Sequence, residues 1–404
     1  MEKRFLLFIF LSLVILTIYQ SLVVKPVPPK PATGATSASG QTGARPAATA
    51  PLAGTAAAPI STPAVQPPPA APDVPALVGD TTERDVTVET RDVIAVFTNR
   101  GARLKSWRLK HYLDQDRHPQ ELVEKDLPNE PLPFTLQTQD TAANAALNNA
   151  LFAVDGAPAG IVDHPIDLRF EFRTSAGLRA LKTFHFTPSG YVVTVSTEIT
   201  DGDKTLTPAI VWGPAVGDAG EVSRYTQAAE GLLFAGDKVQ RAKPKQLATQ
   251  PKYDGDFALA GVDDNSFMTA ALRVINGSVE YRVVSVPPPA GSKDPPRDLV
   301  SYTIITHQAG APIAFFVGPK DFDVLQAIGP GMTKAIYFGT FEVIVVPLLR
   351  SLKGVHEYVP NYGWSIVVLT MIINLIMFPL RHMSAKSMRK MAQIQPEVKA
   401  IQDR

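Results

Sequence analysis

Residues Tyr362 to Leu380 read YGWSIVVLTMIINLIMFPL, an apolar run without a charge, and Arg381, His382, Lys386, Arg389 and Lys390 follow it at once. At 1.5 Å of rise per residue, about 20 helical residues cover the roughly 30 Å hydrocarbon layer of a bilayer. Tyr362 and Trp364 at the start suit the headgroup level, where amphipathic rings collect. Basic residues accumulate on the cytoplasmic side, so this span is expected to run from outside to inside over 362–380, with a basic cytoplasmic helix over 381–404.

A second span lies at the other end of the chain. Phe5 to Val24 read FLLFIFLSLVILTIYQSLVV, preceded by Lys3 and Arg4. The same rule keeps residues 1–4 in the cytoplasm and makes 5–24 a transmembrane anchor. A cleaved signal peptide is the competing reading. It requires a shorter apolar core and small residues at the cut, and Tyr19, Gln20, Val23, Val24 and Lys25 offer no such pattern, which favours the uncleaved anchor. The two spans agree on one topology: a multi-pass inner-membrane protein of a two-membrane cell, with everything between them on the periplasmic side.

Residues 25–77 are rich in Pro, Ala, Thr and Gly and nearly devoid of large apolar side chains, so they are expected to form a disordered tether. From 78 to 330 the pattern changes to short runs in which apolar and polar residues alternate. VTVET (86–90) and VIAVF (93–97) precede a break at Asn99-Arg100-Gly101. LRFEFRTS (168–175), LKTFHFT (181–187), YVVTVSTEIT (191–200), YRVVSV (281–286) and LVSYTIIT (299–306) continue the style. Many short half-buried strands divided by turn residues predict a large antiparallel β-sandwich. The fold class is thus a membrane protein with α-helical spans plus a large extracytoplasmic antiparallel β-sandwich, α+β taken together.

Chemistry is scarce in this region. The 39 Lys and Arg against 38 Asp and Glu give a formal net charge of +1, which points to no nucleic-acid or acidic partner. The absence of cysteine excludes disulfides, thiolate metal sites and a cysteine nucleophile. No G-x-S-x-G, H-E-x-x-H or phosphate-binding glycine loop occurs. Asp114, Asp116 and His118 have metal-ligand character, but no fourth ligand stands nearby and a solvated loop is expected. Asp263-Asp264-Asn265 reads as turn chemistry and nothing more, and His185, between Phe184 and Phe186, is expected to face solvent from a strand. No cofactor, no metal and no catalytic residue are expected.

Between 335 and 358 the apolar residues Phe338, Phe341, Ile344, Val345, Leu348, Leu349 and Leu352 recur at the spacing of one helix face. Pro347 is expected to kink that helix or split it. Two readings stand for its apolar face: immersion in the outer headgroup region, or packing on the sandwich. Inside the second span, Thr370 and Asn374 lie at i and i+4, with Arg381 at i+11. Polar groups at membrane depth are functional candidates, and an interhelical hydrogen bond worth about 0.6 kcal/mol is the plainer alternative. Beyond it, Met391, Ile394, Val398 and Ile401 are spaced 3, 4, 3, as in a coiled-coil seam, with Pro396 expected to interrupt the seam or start a new helix. The seam needs a partner helix, so the sequence reads as a truncated one.

These residues resemble the YidC family of membrane protein insertases. The resemblance is carried by Val317-Gly318-Pro319-Lys320, Phe338-Gly339, Pro347-Leu348-Leu349, Asn361-Tyr362-Gly363-Trp364-Ser365-Ile366, Leu369-Thr370, Phe378-Pro379-Leu380, Ser387-Met388-Arg389-Lys390-Met391 and Gln395-Pro396, in family order. It implies an insertase and foldase rather than an enzyme. In such a protein a hydrophilic groove, open to cytoplasm and lipid, receives part of a nascent membrane protein and passes its helix to the lipid bilayer. It also implies partners: nascent membrane proteins, ribosome–nascent chain complexes and the Sec translocon. Thr370, Asn374 and Arg381 become groove candidates, and Met391, Ile394, Val398 and Ile401 the start of a cytoplasmic helical hairpin. Many relatives place a groove arginine in this helix. Alignment on Phe378-Pro379-Leu380 puts Asn374 there, with Arg381 either serving instead or acting as a cytoplasmic anchor. The alternative class is a tethered periplasmic binding module for carbohydrate or protein. Against a sugar site, only Trp107 and Trp212 lie in this domain and no cluster of Trp and carboxylates is visible.

Overall fold

The computed structural model describes residues 76–402 apart from 115, 125–126, 128, 215–228, 237, 288–295, 330 and 339–341. The expected anchor and almost all of the expected tether lie outside the described residues. Ala76 and Leu77, assigned to the tether by composition, already belong to the strand Ala76–Val78.

The domain consists of two antiparallel sheets. Within the larger one, neighbours run Ala76–Val78, Ile166–Thr174, Leu178–Phe186, Val192–Asp201, Ile313–Pro319, Phe267–Val286, Lys252–Asp263, Glu230–Ala235 and Lys238–Ala242. Phe267–Val286 serves two partners on one side. Its first residues pair with Ile313–Pro319 and its last ten with Arg297–Thr306, which hands the ladder on to Ala209–Trp212 and then Thr135–Gln137. The smaller sheet holds Asp85–Glu89, Val93–Thr98, Arg103–Leu113 and Pro119–Glu121.

Period-two alternation is why these segments are strands. Along Ile166–Thr174 the side chains of Leu168, Phe170 and Phe172 are buried while Asp167 and Arg169 are exposed, one set per face. His185 faces solvent as its neighbours predict, and its Nδ1 lies 2.8 Å from Asp167 on the adjacent strand. Two further helices cover the sheet: α1 (Thr141–Asn149) and α2 (Pro244–Thr249).

Aromatic rings fill the space between the sheets. Phe97 of the small sheet lies 4.6 Å from Phe184 and 6.0 Å from Phe186 of the large one. Trp107 and Trp212 are both core residues, and the Trp107 indole donates to the Val317 carbonyl at 2.9 Å across the layers.

One buried lysine, in phase with Phe184 and Phe186 on the inward face of its strand, pins these layers together. Lys182, in the strand Leu178–Phe186, is fully buried among the rings. Its Nζ donates to the carbonyls of Gly101 (2.8 Å), Ala102 (3.0 Å) and Phe134 (2.7 Å). The Lys182 nitrogen thus meets three acceptors that strand pairing leaves unused, with a donor for each while it is protonated. Gly101 (φ +68°) and Ala102 (φ +50°) form the tight turn between two strands of the small sheet. A Cβ at Gly101 would stand 2.7 Å from the Asn148 carbonyl, so only glycine fits. Phe134 also has φ +66°, an uncommon conformation for a bulky residue. Rings of Phe184, Trp212 and Phe315, each centred within 5.3 Å, hold it there.

Removing the Lys182 ammonium leaves three buried carbonyls without donors, each costing about 1–3 kcal/mol. Lys182→Met is expected to lower the unfolding free energy of this domain by at least about 2 kcal/mol in urea. An unchanged midpoint would show that the pin is dispensable. Burial pushes the Lys182 pKa well below the ordinary lysine value, and the Arg103 charge pushes the same way. Between that lowered pKa and about 10.4, the unfolded chain therefore binds more protons at this residue than the folded one. This contribution to stability rises with pH across the window. The stability gap between wild type and Lys182→Met should widen with pH there, and a gap that narrows would contradict the assignment.

Candidate functional site

The described residues contain one helix long and apolar enough to cross a membrane, Tyr362–Met388, with a mean hydropathy of 2.0 and only 6% of its most apolar window buried. It forms the first part of α5 (Tyr362–Gln402), a single helix of 41 residues, about 60 Å long. The helix passes through Pro379 and Pro396 without a break, so Pro396 neither interrupts it nor starts a second one. A proline removes one rung of the i→i−4 ladder, and the remaining rungs carry the helix past it.

The approach to α5 starts where the sandwich ends. Lys320, directly after the last strand, donates from Nζ to Asp263 Oδ2 (2.8 Å) and to the Asp264 carbonyl (2.6 Å). Asp263 is wholly buried, and the Arg241 guanidinium approaches the same oxygen at 3.4 Å. Arg241 also donates to the carbonyl of Ala335 and lies over the ring of Tyr337, 5.4 Å from its centroid. The turn reading of this acidic triplet is therefore incomplete. Asp264 does organise the turn, accepting from the amides of Ser266 and Phe267, but Asp263 forms the centre of a buried ionic clamp.

The clamp also corrects the amphipathic helix expected over 335–358. Met332–Ala335 is a separate 3₁₀ turn ending at an extended Ile336, and Arg241 takes the Ala335 carbonyl that a continuing helix would use. The helix, α4, spans Glu342–Tyr358, so Phe338 precedes it in irregular chain, and Phe341 lies outside the described residues. Pro347 sits inside α4 without splitting it. Along its apolar stripe, Ile344 and Leu348 are exposed, while Val345, Leu349 and Leu352 are half-buried. The helix is tied back to the domain by Lys353. Its ammonium pairs with Asp323 and lies 4.9 Å from the Phe322 ring of α3 (Phe322–Ile328).

A compact elbow joins α4 to α5. Asn361 Oδ1 accepts from the Gly363 amide at 2.9 Å, capping the start of α5. Ser365 is fully buried, its hydroxyl 3.0 Å from the Val359 carbonyl and 2.9 Å from that of Asn361. The His356 ring stacks on Tyr362 at 3.8 Å.

On α5 itself, Thr370 Oγ1 donates to the Ile366 carbonyl (2.7 Å) and Asn374 Nδ2 to the Thr370 carbonyl (2.9 Å). Both side chains are exposed, and both direct these donors into their own helix. Such back-bonding lowers the cost of holding a polar group against hydrocarbon and leaves acceptor oxygens outermost. Arg381, seven residues beyond Asn374, is exposed about 10 Å further along the axis and about 20° around it. The three groove candidates thus share one stripe. Met391 is exposed at 73%; Ile394, Val398 and Ile401 lie on the same helix, with their side chains outside the described residues. Of the D-x-D-x-H cluster, Asp114 Oδ1 accepts from the amides of Asp116 (2.9 Å) and His118 (2.8 Å), organising its own loop.

Comparison with known proteins agrees with this architecture. Residues 85–351 match the family described as the YidC periplasmic domain, and residues 354–404 match the 60Kd inner membrane protein family. The membrane protein insertase YidC of Pelobacter propionicus is 30% identical over 425 aligned positions, covering all of this chain and 72% of the relative. That of Geobacter metallireducens is 29% identical, covering all of this chain and 73% of the relative. Among solved structures, an active YidC insertase aligns with 81% of this chain and 63% of its own, at 14% identity and a TM-score of 0.34. A galactose mutarotase related enzyme from Lactobacillus acidophilus aligns with 58% of this chain and 97% of its own, at 11% identity and a TM-score of 0.35. Neither structural likeness is strong enough to bear on function.

The elbow makes a direct prediction. Asn361→Ala removes the cap of α5 at about 1 kcal/mol, so amide exchange over residues 362–365 should accelerate about fivefold while the sandwich strands stay unchanged. Unchanged exchange at 362–365 would mean the cap does not hold the elbow.

Proposed function

The chain belongs to the YidC family of membrane protein insertases, and from that premise we propose how its parts divide the work. The family resides in the inner membrane, and its members are insertases that act on membrane proteins. The observation that carries the proposal is the nearly uncovered apolar helix Tyr362–Met388, joined through a hydrogen-bonded elbow to a clamped periplasmic domain.

Residues 5–24 anchor the chain with its N-terminus in the cytoplasm, and the Pro/Ala-rich stretch after them links that anchor to the sandwich. The sandwich stands in the periplasm. The apolar stripe of α4 lies in the outer headgroup layer, and the partly exposed Ile344 and Leu348 favour that placement over full packing on the sandwich. Helix α5 crosses to the cytoplasm and continues there as the basic first arm of a hairpin with its seam at Met391, Ile394, Val398 and Ile401. This makes the protein multi-pass.

The stripe of Thr370, Asn374 and Arg381 forms one wall of a hydrophilic groove. A nascent membrane protein on its ribosome places a short polar segment against that stripe, where acceptor oxygens and a guanidinium replace part of its hydration. The cost of carrying those groups partway across falls accordingly. The adjoining apolar surface of α5 then guides the arriving helix into lipid. Larger clients are served beside the Sec translocon. Asn374 supplies polarity without charge, so the groove uses hydrogen bonding at that depth and charge only near Arg381.

Two experiments test this. A photo-reactive residue at Thr370 or Asn374 should capture nascent membrane proteins in ribosome complexes, whereas adducts with lipid or with the protein's own helices alone would rule out a groove there. The absence of cysteine permits a topology test with single probes. Ser189→Cys should react with an impermeant maleimide added from the periplasmic side, and Ser387→Cys only after the inner membrane is opened. Equal labelling of both from outside would overturn the orientation.

A further inference from the structure

On the outer face of the large sheet, four neighbouring strands align one row of side chains. Thr135 pairs with Val211, Val211 with Thr303, and Thr303 with Glu280. Two residues along their own strands, on opposite sides of this row, stand Gln137 and Arg282. Together they floor a cleft of about 390 Å³, within the roughly 300–1,000 Å³ range of small-molecule sites. Three inter-strand steps of about 4.8 Å give the floor a width of about 14 Å.

The floor is polar and largely uncommitted. Among the described residues, no side-chain hydrogen bond or ion pair engages Glu280, Thr303 or Gln137. Arg282 pairs with Glu130, outside the cleft lining, and still has about half of its side chain exposed. A carboxylate, a carboxamide and a guanidinium are planar groups that present paired donors or acceptors, and a hydroxyl stands between them. Val211, 8% exposed, contributes a small apolar centre.

The edge beside the cleft is closed to an added strand. Asn148 exchanges two hydrogen bonds with the backbone of Leu136 (3.1 and 2.7 Å), and Asn144 does the same with Thr138 (2.6 and 3.0 Å). These two side chains of α1, one helical turn apart, occupy the backbone groups through which an extended peptide would join the edge strand Thr135–Gln137. A peptide lying on the face would find little apolar lining beyond Val211 and Pro131. A ligand bearing many hydroxyls on a compact ring matches the floor better, because each planar group can hold two neighbouring hydroxyls.

The geometry points to this cleft as a binding site for a short neutral oligosaccharide of two or three rings. No aromatic side chain lines the cleft, so there is no stacking platform and the affinity is weak, in the millimolar range. Candidate sources are cell-wall glycans, which are N-acetylated, and plain glucans.

The test is saturation-transfer NMR on the full chain in nanodiscs, with N,N′-diacetylchitobiose, cellobiose and maltose as probes at millimolar concentration. At least one disaccharide should give transfer, and preference for the acetylated or the plain sugars identifies the source. Thr303→Trp fills the cleft and should abolish transfer. Glu280→Ala should weaken binding about tenfold, the worth of one charge-assisted hydrogen bond. Both positions face outward, so unchanged circular dichroism and thermal midpoint confirm intact folding. If a variant's fold is disturbed, Gln137→Ala replaces it, with weakened transfer expected again. No transfer from any sugar, transfer indifferent to these changes, or displacement by a Gly-Ser repeat peptide would overturn the proposal.

Discussion

A helix with a mean hydropathy of 2.0 and almost no protein cover is stable only where something other than water lies against it. That constraint on Tyr362–Met388 organises the rest of the molecule. It requires the backbone to satisfy itself, which the unbroken helix does. It requires the few polar side chains at that depth to be satisfied as well, which Thr370 and Asn374 achieve on carbonyls of their own helix. It also requires the chain to enter the helix at a fixed angle from an aqueous domain, and the elbow of Asn361, Ser365, His356 and Tyr362 supplies that entry.

The periplasmic domain solves a separate problem with similar economy. Having no cysteine, it relies on packing and on a few buried polar contacts. Lys182 joins a turn of the small sheet to the chain entering Thr135–Gln137 of the large one, using carbonyls that no strand claims. Asp263 gathers Lys320 and Arg241, and through Arg241 it fixes the segment leading to α4. The first contact holds the sheets to each other; the second sets where the chain leaves them. Replacing either with an apolar residue would leave partners stranded in a low-dielectric interior, where an unpaired group is costly.

Much of this was legible in the sequence, for identifiable reasons. Strands such as Ile166–Thr174 and Val192–Asp201 announce themselves because a half-buried sheet imposes a two-residue period on local sequence. The apolar helix is legible because an uninterrupted apolar run of that length stands out in local sequence. What remained hidden depends on contacts between distant positions. The Lys182 ammonium meets Gly101, 81 residues away, and Asp263 meets Lys320, 57 residues away. The lysine in LKTFHFT shares its parity with Phe184 and Phe186, so alternation places it on the inward face, but nothing local says which carbonyls it meets there. The cleft row from Thr135 to Glu280 is likewise assembled from four strands scattered along the chain. Two proline alternatives fall away: Pro347 does not split its helix, and Pro396 neither interrupts α5 nor starts a new helix. Phe338 was misplaced because the helical spacing ran on past a carbonyl that Arg241 intercepts.

Reconstitution tests the insertase assignment most directly. The natural protein carrying this sequence would be purified into protein-free liposomes, and a small membrane protein synthesised on ribosomes in their presence. Protease protection of the client then reports insertion. Protection should rise well above that of empty liposomes and fall back when residues 362–388 are replaced by a polyleucine helix of equal length, which keeps the span and loses the polar stripe. Equal protection with the polyleucine helix would contradict a route along this face of α5.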